Sequence, residues 1–244
     1  MKNKAITLLC LVLILLKPLN AQDAVRKGVT SINMGFSLPL GNFGSKYFNN
    51  YDAGFASAGI VTDFKFSYLL NPKLGVVGIW RGQSNFYNSE AYAQGMANYL
   101  GSGATVYVAS GGYSIGGIMA GIFSPYQLKD KFSAEPHLLL GIAVPTMSER
   151  TTETYSNGKK MTTFVREQSA VISFAYNLGA SLKMDIFKSS CLLFDFDFYS
   201  TSGYWPTVRN IGIGHVSNSA EINYYDYYLR IRTLNLSAGL GFKF

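Results

Sequence analysis

The side chains that could do chemistry are few and widely spaced. Five ionisable residues, Asp63, Lys65, Arg81, Asp195 and Asp197, lie in segments where every second residue is apolar. At that spacing they share one face of an extended strand, because successive side chains point to opposite sides. Nucleophilic catalysis needs a His placed near a hydroxyl and a carboxylate. The chain has two His, and only His215 has such company, with Ser217, Ser219 and Glu221 nearby in sequence. A lone His in a polar loop is ordinarily solvated surface, so no catalytic residue is assigned. Zinc sites need closely spaced Cys and His ligands. His137, His215 and Cys191 are far apart, so no metal is assigned either. The Gly-rich stretches recur at strand spacing with no helix behind them and do not form a phosphate loop. No cofactor is implied.

The elements that carry these residues read as strands. Charged residues are 14% of the 244, well below the roughly 25% usual in soluble domains. Aromatic residues reach 15%, with 17 Phe, 17 Tyr and 25 Gly, a composition suited to a β-rich protein facing an apolar medium. Lys2 and Lys4 precede an apolar run from Ala5 to Leu16 and then Asn20-Ala21, the pattern of a secretory signal peptide over residues 1–21. That run is shorter than the ~20 residues a spanning helix needs. Cys10 sits inside the run behind Leu9, which argues against a lipoprotein. Cleavage after Ala21 removes Lys2, Lys4 and Lys17, leaving 21 − 3 = 18 basic against 14 acidic groups. A net charge of 18 − 14 = +4 without basic runs gives no footprint for nucleic acid. Cys191 is then the single thiol, so no intramolecular disulfide can form.

Residues 22–244 read as one barrel domain. Ile32 to Leu40, Ile60 to Leu70, Ala170 to Leu182, Leu192 to Phe198 and Leu234 to Phe244 each alternate apolar with small or polar residues. Leu74–Phe86, Gly112–Phe123 and Phe132–Val144 are less regular strands, the middle one with Tyr113, Ile115, Met119 and Phe123 assigned to the outward face. The links between them alternate in length. Gly41–Ala53, Tyr87–Gly111, Pro145–Gln168 and Thr201–Asp226 are long, whereas Asn71–Lys73, Ser124–Lys131 and Met184–Ser190 are short. Short turns at one end and long loops at the other describe an all-β, eight-stranded, antiparallel, up-and-down transmembrane barrel. A soluble sheet would bury its apolar face under a second sheet. Here the face opposite the apolar one carries the five charges, which therefore point into the lumen. Around the Asn71-Pro72-Lys73 turn, Asp63 falls opposite Arg81. A barrel of that size is just wide enough for its own side chains, so these charges are expected to pack as an ionic network. A narrow path for small solutes is the alternative.

On these features the chain resembles the small outer-membrane β-barrel (porin family) proteins of the Bacteroidetes type. The resemblance covers roughly residues 22–244 and rests on the terminal strand Leu234-Asn235-Leu236-Ser237-Ala238-Gly239-Leu240-Gly241-Phe242-Lys243-Phe244 and on the Phe123–Leu140 hairpin. It implies a place in the cell outer membrane and insertion by the barrel assembly machinery, which reads the terminal Phe244. The candidate sites themselves point to a structural or interaction role, with a lipid-modifying enzyme the distant alternative. His137 is expected near the periplasmic rim. Arg230 and Arg232 fall on the lipid-facing parity, and the eleven residues from Leu234 to Phe244 already fill the span. Both arginines should then meet lipopolysaccharide phosphates at the outer rim, unless a bulge near Thr233 turns them inward. Among the outside loops, Ser89–Leu100 suits a short helix and Asn157-Gly158 a hairpin tip whose flanks need a bulge. Tyr204, Trp205, Tyr224, Tyr225, Tyr227 and Tyr228 suit an interfacial girdle or a surface for a protein or glycan partner.

Overall fold

The computed structural model describes residues 27–244. The signal peptide expected over 1–21 lies outside the described residues. The described residues are all-β, apart from a 3₁₀ turn at Gly41–Gly44 and one helix, α1 (Ser89–Leu100). Its long strands are β1 (Gly28–Pro39), β2 (Ala56–Asn71), β3 (Leu74–Tyr87), β5 (Tyr113–Phe123), β7 (Phe132–Met147), β11 (Ser173–Phe187), β12 (Ser190–Gly214) and β13 (Ser219–Lys243). Pairing runs β1 to β2, β3, β5, β7, β11, β12 and β13 and returns to β1, antiparallel at every step. Along this circuit each strand is therefore paired on both sides, which an open sheet cannot do, while residues 219–232 of β13 pair with β12 alone.

The long strands form because their alternation matches the strand period. On β1, Ile32, Met34 and Phe36 are 63%, 65% and 66% exposed, while Asn33 and Ser37 are buried. Trp80, Ile118, Phe174 and Leu178 continue the exposed apolar face around the circuit. Among the described residues no helix is long and apolar enough to cross a membrane. A backbone in lipid must satisfy its own hydrogen bonds, so a closed set of strands with an apolar exterior is the form in which this chain can span.

The described residues form 13 strands where eight were expected. The difference lies in the segments read as loops. β4 (Ala104–Ser110) follows α1, and β8 (Arg150–Ser156) and β9 (Lys159–Arg166) form a hairpin. β6 (Tyr126–Lys129) and β10 (Ser169–Ala170) are short strips beside β7. Thr201–Asp226, expected as a loop, is instead a continuation of β12 and β13, which remain paired to Gly214 and Ser219 with a register shift after Trp205. Long extended segments leave unpaired backbone groups, and pairing them with one another satisfies those groups. At the loop end the order β13-β12-β9-β8-β4 makes a second, projecting stretch of sheet.

The β8–β9 hairpin turns on Asn157 (φ 49°) and Gly158 (φ 76°), the two left-handed residues of a type I′ turn. Its register shifts between Thr154 and Tyr155. The helix begins where Asn88 accepts a 2.9 Å hydrogen bond from the Ala91 N–H, a side-chain N-cap.

The faces of β5 need correcting. Tyr113, Ile115, Met119 and Phe123 are 1–5% exposed and point inward, whereas Ile118 and Ile122 point out. Inward residues on the flanking strands are apolar as well, notably Val77, Ile79 and Leu139. Large and small residues interlock across this wall: Met119 lies opposite Gly141, Leu139 opposite Gly121, and Arg81 opposite Gly117. An inward face that is apolar on β5 defeats a rule that assigns apolar residues to lipid.

Candidate functional site

The interior has two candidate sites, the charged lumen and the aromatic mouth above it. In the lumen, β2 and β3 place Asp63 opposite Arg81. Arg81 Nε and Nη2 donate to the two carboxylate oxygens of Asp63 at 2.8 and 2.7 Å. Nη2 also reaches Asp197 at 2.6 Å, and Nη1 donates to the Asn177 side-chain oxygen at 3.0 Å. The guanidinium is thus used on every side, in the fork-to-carboxylate geometry that makes Arg pairs strong. Lys65 donates to Asp195 at 3.2 Å and to Ser181 at 2.5 Å, and Asn33 donates to the second Asp195 oxygen. All five residues assigned to the lumen are buried, none more than 5% exposed.

Three further ionisable members, His137, Glu135 and Lys183, were not read from the sequence. His137 lies inside the lumen rather than at a rim, its Nε2 2.8 Å from Asp197 and its Nδ1 3.2 Å from the Glu135 carbonyl. β7 starts at Phe132, so His137 is already part-way up the wall. Glu135 is buried and paired with Lys183. Parity counted from Phe132 was the signal available for His137 and Glu135. Both His137 nitrogens are taken by protein partners, and no hydroxyl is among them.

Above the network the mouth is aromatic. The 3₁₀ turn drops Phe43 into it, fully buried and edge-on to Tyr113 with centroids 5.1 Å apart. Tyr113 donates to the Gly54 carbonyl at 2.7 Å, tying the Gly41–Ala53 loop to the wall. Phe55 holds φ at 52°, an uncommon conformation for a bulky residue, and packs on Tyr87 and Tyr92. Arg150 and Arg166, side by side on β8 and β9, reach into this region. Burial beside Arg150 pushes the Arg166 guanidinium below its ordinary range. The sequence reading missed both arginines, because it left Pro145–Gln168 as loop.

Arg230 and Arg232 point outward, alternating with buried Leu229, Ile231 and Thr233, and the ladder shows no register shift at Thr233. With Tyr228, Gly41, Asn42 and Asp52 they line a cavity of about 320 Å³ at the loop-end rim. Phe244 exchanges 3.0 Å backbone hydrogen bonds with Gly28 and lies against Phe66 at the seam between first and last strands. Of the aromatics assigned to the last loop, Tyr204, Tyr224, Tyr225 and Tyr228 are exposed on the extended hairpin, while Trp205 is fully buried. His215 Nε2 is 2.9 Å from the Thr163 hydroxyl, and Cys191 is buried as a free thiol. Among the described residues no group of three His, Cys, Asp or Glu could hold a metal ion.

No protein-family model matches the chain, and no curated protein is significantly similar to it. Solved structures of similar shape include the attachment invasion locus protein Ail of Yersinia pestis, 13% identical over 89% of this chain and 99% of that one, TM-score 0.40. Neisserial surface protein A is also 13% identical, over 89% of this chain and 97% of its own, TM-score 0.40. A major outer membrane protein of Thermus thermophilus is 9% identical over 91% of this chain and 100% of its own, TM-score 0.44.

Proposed function

We propose that this chain is an eight-stranded, up-and-down barrel with a lumen closed by its own side chains, acting through a structural or interaction role rather than through catalysis. It is a protein of the outer membrane, where strands satisfied on both sides and an apolar exterior are at home. Within that setting it belongs with the small porin-family barrels of the Bacteroidetes type, exported by residues 1–21 and inserted by the barrel assembly machinery through Phe244. The observation that carries the closed lumen is the Arg81 cluster: a guanidinium 1% exposed, engaged by Asp63, Asp197 and Asn177 at 3.0 Å or less. An open aqueous path would solvate such a group. The apolar wall of Ile79, Met119 and Leu139 and the Phe43 plug fill the space beside and above it.

The purified protein in planar bilayers tests this reading. A closed lumen gives a flat current trace, with unitary steps appearing only after Arg81→Ala. Repeated openings of the unaltered protein would overturn it in favour of a narrow solute channel. The interaction role is supported by the projecting β13-β12-β9-β8-β4 sheet, which carries exposed Tyr224 and Tyr225 toward any protein or glycan partner. Arg230 and Arg232 are suited to lipopolysaccharide phosphates at the rim. Replacing residues 209–224 by a short turn, at the Arg209–Tyr224 rung of the ladder, keeps the lower register. The shortened barrel should fold and lose its crosslinked partner from intact envelopes; a partner retained at wild-type yield refutes the role of the sheet.

A further inference from the structure

The two cations of the mouth, Arg166 buried and Arg150 half-buried, stand in contrast to those of the lumen. Arg150 and Arg166 face each other directly across the β8–β9 ladder. Like charges in that position repel and are normally separated or neutralised. In the lumen Lys65 and Arg81 are matched by carboxylates. Among the described residues neither Arg150 nor Arg166 forms an ion pair. Arg166 is 5% exposed, gives one 3.3 Å hydrogen bond to the Ser148 carbonyl, and its buried Nε has no partner in the protein. Arg150 donates to the Tyr87 hydroxyl at 2.9 Å. The two guanidiniums lie over aromatic rings, Arg150 4.4 Å from the Tyr92 centroid and Arg166 5.6 Å from that of Tyr227. Ring faces attract a cation without cancelling its charge.

Both arginines line one cavity of about 320 Å³, together with Tyr87, Tyr92, Tyr113 and Tyr227. That volume is at the lower end of small-molecule sites. Asp52, exposed, is the one carboxylate in the described lining. Two guanidinium forks with unused donors match the oxygens of a tetrahedral dianion. The aromatic wall offers apolar faces to whatever carries that anion. We infer that the mouth binds a small soluble phosphomonoester, its phosphate held between Arg150 and Arg166 and its body against the tyrosine wall. The site goes beyond the partner role of the projecting sheet and does not depend on whether the lumen conducts.

Calorimetric titration of the full-length barrel in neutral detergent tests the inference, with glucose 6-phosphate, inorganic phosphate, glucose and dihexanoyl phosphatidic acid as probes. Glucose 6-phosphate should bind saturably and inorganic phosphate more weakly, while glucose and the short-chain lipid should not bind. Arg150→Gln and Arg166→Gln should each weaken glucose 6-phosphate at least tenfold while the heat-dependent gel shift of the barrel is kept. If either variant fails to fold, the unaltered protein still decides the matter: glucose 6-phosphate should slow phenylglyoxal modification of arginine, and glucose should not. No heat from either phosphate probe overturns the site. Binding of glucose alone, or of the lipid as tightly as the sugar phosphate, overturns the assigned chemistry, as does undiminished binding by folded variants.

Discussion

Replacing Arg81 by Met keeps an unbranched apolar stem and deletes the guanidinium with its charge and all its donors. Asp63 would lose its bidentate partner at 2.7 and 2.8 Å, and Asp197 would lose a contact at 2.6 Å while keeping His137 at 2.8 Å. Both carboxylates are 2–3% exposed, so water cannot replace the guanidinium without opening the lumen. Breaking a buried pair by removing one partner costs about 3–5 kcal/mol, and two carboxylates share this one, so the loss should fall toward the upper end. Urea unfolding in lipid vesicles, followed by tryptophan fluorescence, measures it. The double variant Arg81→Met with Asp63→Asn removes one stranded charge and should recover about half of the loss. A cost under ~1 kcal/mol, the value of a solvated surface pair, would refute the reasoning. The lumen would then be wet, and the closed reading would fall with it.

Other expectations follow from local geometry. A Cβ on Gly35 would sit 1.9 Å from the Leu236 carbonyl oxygen and 2.5 Å from Ser237 Cα, both backbone atoms at the β1–β13 seam. Gly35→Val should therefore cost at least the ~3 kcal/mol of severe overpacking and abolish the compact gel form; a wild-type urea midpoint would contradict it. Gly158→Ala forces an alanine to φ 76° and should destabilise the β8–β9 hairpin by roughly 1–2 kcal/mol. Amide exchange should rise there and stay unchanged at the seam. The Thr207 N–H and the Tyr204 hydroxyl both donate to Asp226 and hold its carboxyl below the usual aspartate range. A depressed pKa stabilises the fold above the ordinary value and loses that contribution as pH falls through the folded one. The Tyr204–Asp226 side-chain contact should thus stay ordered through neutral and mildly acidic pH and loosen only at strongly acid pH. Tyrosine chemical shifts would follow it, and Asp226→Asn should remove the transition.

Alternation along the strands was enough to put Asp63, Lys65, Arg81, Asp195 and Asp197 on one face, because each sits among apolar neighbours of period two. The same rule failed on β5. There the inward neighbours, Ile79 and Leu139, come from other strands, and no local pattern reports them. His137 and Glu135 carried the right parity, but His137 was set at the rim although it lies five positions beyond the strand start at Phe132. Arg150 and Arg166 were illegible for another reason. Their meeting depends on the type I′ turn and on a register shift between Thr154 and Tyr155, and each alone would change which side chains face the mouth. The terminal strand was clear because its alternation runs unbroken to Phe244.

The seam between β1 and β13 also governs the order of events in time. It pairs Val29 with Lys243, so the wall cannot close until β13 has been made. The lumen contacts obey the same order: Asn33, Lys65 and Arg81 from the first three long strands find Asp195 and Asp197 only on β12. Contacts so far apart in sequence form slowly, since the intervening chain must be ordered first. Until then the concave face of the growing sheet carries Lys65 with no carboxylate and Arg81 with Asp63 alone, and lipid cannot solvate them. Water must therefore remain against that face until the last strands arrive, and leave as they dock. Curling, charge matching and drying of the interior then become one event, and a chain arrested short of β13 is left with a face that neither lipid nor its own side chains can cover.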